Sequence, residues 1–255
     1  MPSFASYPSL LGRVVFVSGG GSGIGASIVE HFCEQGAKVG FVDIDEAASQ
    51  ALVETIRRKG HLAPAFSKSD VRSTKAYQAA IGEIASRLGP IGVLVNNAAR
   101  DDRHTLDEVD EAYWDERMAT NLRHQYFAIQ AVAPGMRKAG GGSIVNLSSM
   151  SYVAMTRHLS VYQAAKAAVI GMTRGLARDL GGDMIRVNSV MPGWIMTERQ
   201  IKLWLTPEAE ANLMMQQCLP EKLYPADIAR MILWLAADDS RLVTAQNFIV
   251  DGGRN

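Results

Sequence analysis

The run Ser18-Gly19-Gly20-Gly21-Ser22-Gly23-Ile24-Gly25, directly after the apolar stretch Val14-Val15-Phe16-Val17, constrains this chain more than any other feature. Glycine permits a tight turn and lets the main chain approach a ligand with no Cβ in the way. From Ala26 to Gln35 the pattern is helical and free of glycine. The run therefore opens a helix, and a helix N-terminus attracts negative charge such as that of a pyrophosphate. Strand, glycine turn and helix in this order are the context that a dinucleotide fingerprint requires; a glycine-rich run without them is common in flexible loops.

The rest of the chain supplies a globular setting for that turn. Its 255 residues fit one α/β domain with a large core, and 47% hydrophobic against 20% charged residues argues against disorder. Lys+Arg and Asp+Glu both number 26, so no net field favours nucleic acid or an anionic membrane. Cys33 and Cys218 lie far apart and suit reduced thiols of a cytoplasmic protein. Neither they nor any of the 5 histidines shows metal-ligand spacing. Residues Met1 to Pro8 lack a basic segment followed by an apolar core, and no apolar run is long enough to cross a bilayer. Residues 1–10 are expected to form a flexible tail.

Short β-branched runs alternate with longer amphipathic ones. Strands are expected at Val14–Val17, Lys38–Val42, Leu62–Phe66, Val93–Val95, Ser143–Leu147, Ile185–Val190 and Asn247–Val250. Helices are expected near Ile24–Gln35, Glu46–Lys59, Thr74–Leu88, Glu111–Lys138 and Tyr162–Leu180. Seven strands alternating with helices imply right-handed βαβ units and a doubly wound parallel sheet, that is, a single Rossmann domain over 11–255. The alternation falters over 193–222, where helical stretches at Glu198–Leu205 and Glu208–Cys218 follow the sixth strand. Ligands of open α/β sheets bind beyond the carboxyl ends of the strands. This segment is placed to cover a substrate there, or to pack or dimerise, or both.

Several side chains suit the chemistry of such a site. Asp43 ends the second strand eighteen residues after Gly25, where a carboxylate accepts hydrogen bonds from ribose hydroxyls and repels a 2′-phosphate. No Arg or Lys lies in the glycine loop or beside Asp43. NAD is therefore expected in preference to NADP, with NADP possible. Asp70, followed by Val71 at the end of the third strand, is placed to meet the adenine amino group or to serve as a turn residue. Tyr162 and Lys166 are spaced i, i+4 and share a helix face. A free tyrosine has a pKa of about 10. A nearby ammonium and a cationic nicotinamide ring both favour the phenolate, and a downward shift of two to three units is worth roughly 3–4 kcal/mol. Ser148-Ser149 closes the fifth strand, and Asn96-Asn97-Ala98-Ala99 closes the fourth with small residues. Asn121 lies in the long fourth helical pattern, where it is expected to bend the helix or hold a water.

With these motifs in order, from the glycine run to the terminal Phe248-Ile249-Val250-Asp251-Gly252-Gly253, the chain resembles the short-chain dehydrogenases/reductases over nearly its whole length. Ser18 stands where that family more often has Thr, and Ala99 where Gly is frequent. The resemblance implies that Tyr162 is the acid/base and that Lys166 lowers its pKa and holds a ribose. It also implies that Ser149 orients the reacting oxygen and that Asn121 holds a proton-relay water. The cofactor residues it implies are Gly19, Ser22, Gly23, Ile24, Asp43, Asp70, Val71, Asn97, Tyr162, Lys166, Pro192, Gly193, Ile195 and Thr197. It further implies a homotetramer.

The stretches Arg100-Asp101-Asp102-Arg103-His104, Thr197 to Leu205 and Gln217-Cys218-Leu219-Pro220 resemble those of bacterial aldose 1-dehydrogenases within this family. This implies a monosaccharide substrate, met by Arg100, His104, Ser149, Ser151, Tyr162 and Trp194, and oxidised at its anomeric carbon to a lactone. The same charges read equally well as a solvated loop with salt bridges. Two alternatives stand beside this reading: a ketone reductase acting on a 3-oxoacyl or small keto substrate, and a catalytically silent nicotinamide-binding protein.

Overall fold

A computed structural model describes residues 4–254. In parallel α/β sheets both faces are covered, so strands read as continuous apolar runs, and the strands here do so. β1 (Val14–Ser18), β2 (Lys38–Asp43), β3 (Ala65–Lys68), β4 (Val93–Asn96), β5 (Gly142–Leu147), β6 (Ile185–Pro192) and β7 (Asn247–Val250) form one sheet in the order 3-2-1-4-5-6-7. Every neighbouring pair is parallel. Along β1 the side chains alternate between two cores. Val15 and Val17 face Ile28, Phe32 and Ile232, whereas Val14 and Phe16 face Ile81, Ile84 and Val132.

The helices are α1 (Gly23–Glu34), α2 (Glu46–Arg58), α3 (Thr74–Leu88), α4 (Glu111–Met118), α5 (His124–Lys138), α6 (Ser160–Leu180), α7 (Glu198–Trp204), α8 (Pro207–Gln216) and α9 (Pro225–Ala236). α1 and α9 supply one core; α3, α5 and α6 supply the other. The seven expected strands and the doubly wound order are present. The switch point, where the order reverses, falls between β1 and β4, and the crevice for a ligand opens there.

Four local departures have physical causes. β3 was expected at 62–66 and starts instead at Ala65, because Pro64 has no N–H to give to the ladder and the pairing with Gly40 begins just beyond it. The helix expected over 111–138 is broken by a π-helical turn at Ala119–Arg123, which carries Asn121; such turns accommodate an extra residue and recur at functional sites. α9 was not among the expected helices. It begins at Pro225, the Tyr224 N–H donates to Asp227 Oδ2 at 2.8 Å, and it buries Ile228, Ile232, Leu233 and Leu235. The expected tail at 1–10 is tied down over much of its described part. The Tyr7 N–H donates to Gln35 Oε1 at 2.8 Å, Leu10 is fully buried in the core, and Phe4 lies 3.6 Å from the Arg230 guanidinium. The segment 193–222 leaves the sheet after β6, forms α7 and α8, and returns beside its start, where Ile195 bridges Leu223.

Leu10→Ala should cost about 2–5 kcal/mol in a urea unfolding curve, the range for truncating a buried leucine. A loose tail would leave the midpoint unchanged.

Candidate active site

The glycine turn is shaped by contacts that leave no room for a side chain. Gly19 has φ +65°, and a Cβ there would come 2.8 Å from Ala98 Cα; a Cβ on Gly25 would come 1.8 Å from the Gly19 carbonyl oxygen. The turn is stitched to the end of β4. Ser18 Oγ accepts from the N–H groups of Asn97 and Ala98, both at 3.1 Å. Asn97 Nδ2 donates to the carbonyls of Ser18 and Gly19 at 3.1 and 2.8 Å. On the other side, the Gly21 N–H donates to Asp43 Oδ2 at 2.8 Å.

These contacts frame a cavity of about 350 Å3 lined by Gly19, Ser22, Ile24, Asp43, Asp70, Val71, Asn97 and Thr197 among others. Eight expected cofactor residues thus meet in one place. Gly23 does not line it; a Cβ there would approach Thr197 Cγ2 at 3.3 Å, so its part is close packing. Asp70 faces the cavity already paired with Arg72 at 2.6 Å, and the Arg72 guanidinium holds its carboxyl below the usual range. Arg72 also pairs with Glu116 at 2.9 Å.

A second cavity, about 560 Å3, adjoins the first through Ile24, Asn97, Ala99 and Arg100. Ser149, Tyr162, Lys166, Pro192, Gly193 and Ile195 line it, together with Arg100, Ser151 and Trp194. Lys166 is almost fully buried; its Nζ donates to the Leu147 carbonyl at 2.8 Å and lies 5.7 Å from the centre of the Tyr162 ring. Ser148 Oγ donates to the Lys166 carbonyl at 2.6 Å. Gln163 Nε2 donates to the carbonyls of Ser151 and Thr156 at 2.8 and 2.7 Å, fixing the loop beside Ser149.

The expected electrostatics of Tyr162 need correction. Burial pushes its phenol up, and the Asp101 carboxylate adds to that, while the Ser149 hydroxyl and the Arg199 guanidinium pull it down. Burial also works against the charged form of Lys166, pushing it down to about 7. A lysine neutral above that pH provides position more than charge.

Two further expectations change. His104 is buried away from the cavity. Its Nδ1 is 3.0 Å from the Thr105 carbonyl, its Nε2 accepts from the Val161 N–H at 3.4 Å, and its ring meets Tyr113 edge-on. It clamps the loop to the start of α6 and does not line the cavity. Asn121 is also fully buried, and both ends of its side chain are used: Oδ1 accepts from the Arg100 N–H at 2.8 Å and Nδ2 donates to the Arg117 carbonyl at 3.0 Å. The side chain thus anchors the 97–100 loop. Asp101, Gln200 and Trp204, which fall in the expected substrate stretches without being named as contacts, line the larger cavity as well, and so do Thr156, His158 and Arg254, which were not singled out. His158 has φ +63°, a conformation with no marker in the sequence.

The residues present fit a dinucleotide: a glycine cradle that a Cβ would fill, an acid facing the first cavity, and a Ser-Tyr-Lys set in the second. A family model described as enoyl-(acyl carrier protein) reductase matches residues 19–255. The chain is 49% identical to a protein named probable galactose dehydrogenase GalD from Rhizobium meliloti, over 99% of this chain and 98% of that one. It is 47% identical to a D-xylose 1-dehydrogenase of Caulobacter vibrioides, over 98% and 99% of the two chains. The chain is a short-chain dehydrogenase/reductase. Among solved structures of this family, a metagenomic blue fluorescent protein in complex with NADPH has TM-score 0.87 and 36% identity, covering 96% of this chain and 99% of that one. A 7α-hydroxysteroid dehydrogenase complexed with NADH and a 7-oxo bile acid has TM-score 0.91 and 31% identity, covering 97% and 96%. The chain is an oxidoreductase of this family, and both of these structural neighbours are complexes with a nicotinamide dinucleotide.

Gly25→Ala should abolish NADH binding in a fluorescence titration, because the Gly19 carbonyl cannot move aside without dismantling the turn. Lys166 offers a second measurement. Its folded value near 7 lies below the unfolded value of about 10.4, so between those values the unfolded chain binds more protons, and stability falls as pH drops from 10 to 7. In urea unfolding at pH 9.5 and pH 7, Lys166→Met should gain on the wild type at the lower pH. An equal offset at both would refute the burial of an ionisable amine.

Proposed function

We propose that this enzyme oxidises a cyclic aldose at its anomeric carbon to the lactone, with NAD preferred over NADP. The observation that carries the reading is the placement of Ser149, Tyr162 and Lys166 on the wall of a cavity whose other lining is rich in hydrogen-bonding groups. The names of the relatives at 49% and 47% identity point to the same substrate class.

Tyr162 accepts the proton of the anomeric hydroxyl. Ser149, within hydrogen-bond reach of the phenol and favouring its anion, holds the reacting oxygen. Lys166, fixed by Leu147, keeps the ring in place and binds the ribose. The Asn121 side chain is committed to Arg100 and Arg117, so a relay water held there would have to meet its main-chain carbonyl, which Gln125 Nε2 also approaches at 3.4 Å. When bound, the oxidised nicotinamide accepts the hydride and adds a positive charge that favours the phenolate. Pro192, Gly193 and Ile195 line the same cavity and would hold that ring.

Arg100, Asp101, Ser151, His158 and Gln200 stand on the cavity wall beside the catalytic set, a polar lining that suits a polyhydroxylated ring better than an acyl chain. The NAD preference rests on Asp43, which faces the smaller cavity, and on Arg72, whose guanidinium is already taken up by Asp70 and Glu116. A cytoplasmic homotetramer belongs to the same reading; Trp114 on α4 and Tyr126 on α5 offer exposed apolar surface for pairing.

NADH formation should be followed across a panel of pentoses and hexoses, with NAD and NADP compared. At least one aldose should turn over, faster with NAD. Tyr162→Phe should lower kcat by at least the 10²–10⁴ that a general base contributes and leave NADH affinity nearly unchanged. No turnover of any aldose by the wild type would sink the sugar reading; an active Phe variant would sink the assignment of the base.

A further inference from the structure

The covering segment 193–222 is attached to the body at its two ends. Its base is pinned where Ile195 bridges Leu223 and the Met196 N–H donates to the Leu223 carbonyl at 2.8 Å. Its far part is tied to the C-terminus, where the Leu219 N–H donates to the Gly252 carbonyl at 2.9 Å and Arg254 Nε to Gln216 Oε1 at 2.9 Å.

Helix α7, between these ties, is held over the larger cavity by the loop that follows β4. Arg199 reaches across Asp101 and Asp102, meeting Asp102 Oδ1 at 3.0 Å. Gln200 Nε2 donates to Asp101 Oδ2 at 2.8 Å, while its Oε1 accepts from Trp194 Nε1 at 2.9 Å. Trp204 stacks with the Arg103 guanidinium at 4.6 Å. Asp102 has cations besides Arg199: Arg100 at 2.8 Å and Arg117 at 2.6 Å. Among the described residues, Arg199 is the one cation in ion-pair contact with Asp101. Asp101 lines the same cavity wall as Tyr162.

We propose that Asp101 is a positioning residue that couples closure of α7 to catalysis: through Arg199 and Gln200 it holds the helix over the substrate, and the same contact offsets the negative charge that Asp101 would otherwise present to the base. This rests on the reading of Tyr162 as base. With α7 swung away, Tyr162 would face a bare carboxylate, and loss of its proton would be opposed. With α7 closed, the guanidinium offsets part of that field when the substrate is enclosed. The two side chains act on the phenol in opposite directions, Asp101 raising and Arg199 lowering the pH at which it ionises.

The other charged groups around Tyr162 do not remove this opposition. Lys166 faces it from its own helix, His158 from the turn before α6, Arg100 and Arg103 from the loop after β4, and Arg254 from the C-terminus. All are potential cations, but Arg100 is neutralised by Asp102, and Lys166 is neutral above about pH 7. Asp101 also favours the charged form of Lys166. Removing Asp101 would therefore weaken a cation as well, but only near pH 7 and below, under the range where the phenol titrates.

The experiment compares Asp101→Asn, Arg199→Gln and Arg199→Lys with the wild type, using the pH dependence of kcat/KM for aldose oxidation and the intrinsic tryptophan emission of the protein without substrate. Both neutralising variants should raise the aldose KM and shift the emission, because Trp194 and Trp204 lose their lid contacts. The rising limb of the profile should move to lower pH in Asp101→Asn and to higher pH in Arg199→Gln. About one pH unit each is expected, the low end for a nearby charge, since both groups are partly exposed. Arg199→Lys should restore most of the limb. A raised KM with the limb unmoved, or limbs moving in the same direction, would reduce Asp101 to a structural contact and overturn the proposal. Unchanged emission in both neutralising variants would overturn the latch. Should the wild type oxidise no aldose, the substrate reading fails, and the emission alone still decides whether Asp101 holds α7.

Discussion

The site depends on the stitching of β1 to β4 at the point where the strand order reverses. The helices that follow these two strands pack on opposite faces of the sheet, which opens the crevice. Polar main-chain groups at the strand ends cannot be left unpaired in a buried place, and here three side chains satisfy them. Ser18 Oγ takes the N–H groups of Asn97 and Ala98, Asn97 Nδ2 takes the carbonyls of Ser18 and Gly19, and His124 Nε2 lies 3.0 Å from the Ala98 carbonyl. His124 is fully buried, and its pKa is pushed down to about 3, so it stays neutral and gives that carbonyl its N–H. The loop fixed in this way forms the shared wall of both cavities. The close approach of the glycine turn to Ala98 follows from it.

At the reacting centre, position and charge have different origins. The i, i+4 spacing sets Tyr162 and Lys166 on one face of α6, and the Leu147 carbonyl fixes the amine. Burial then works against the charged form of each, since a low-dielectric setting disfavours any ion. The pair as folded is an accurately placed phenol beside a weakly charged amine. On the proposed mechanism, charge that favours the phenolate would come from the cationic ring of a bound nicotinamide on one side and from Arg199 on α7 on the other. The base would then be held in reserve until the ligands are in place.

The same division explains what was legible in the sequence. Features that depend on local geometry were readable: the glycine turn, the alternation of strands and helices, the Tyr-Lys spacing, and the acid at the end of β2. Features set by tertiary packing were not. β3 shifted by three residues because Pro64 removes a donor, and α9 went unread although its buried Ile228, Ile232 and Leu235 show helical spacing after Pro225. Asn121 was expected to bend its helix or hold a water; a π-helical turn breaks the helix at that point, and the side chain is spent on Arg100 and Arg117. His104 and Asp101 stand three residues apart in one polar stretch. Only the fold decides that the histidine turns inward against Tyr113 while the aspartate faces the cavity.

The substrate wall is the least legible part because its polar groups are largely paired with one another. Both carboxylate oxygens of Asp101 are engaged by α7, and both ends of the Gln200 amide are used. A hydroxyl arriving at these groups exchanges one hydrogen bond for another, so each such contact adds little net affinity. On the proposed sugar reading, discrimination would then come from mismatch: a ring that displaces Gln200 from Asp101 or from Trp194 without supplying a matching hydroxyl would leave a polar group unpaired. Selectivity among aldoses that share an anomeric hydroxyl would therefore depend less on the number of polar residues around the cavity than on which of these existing pairs a given ring can replace.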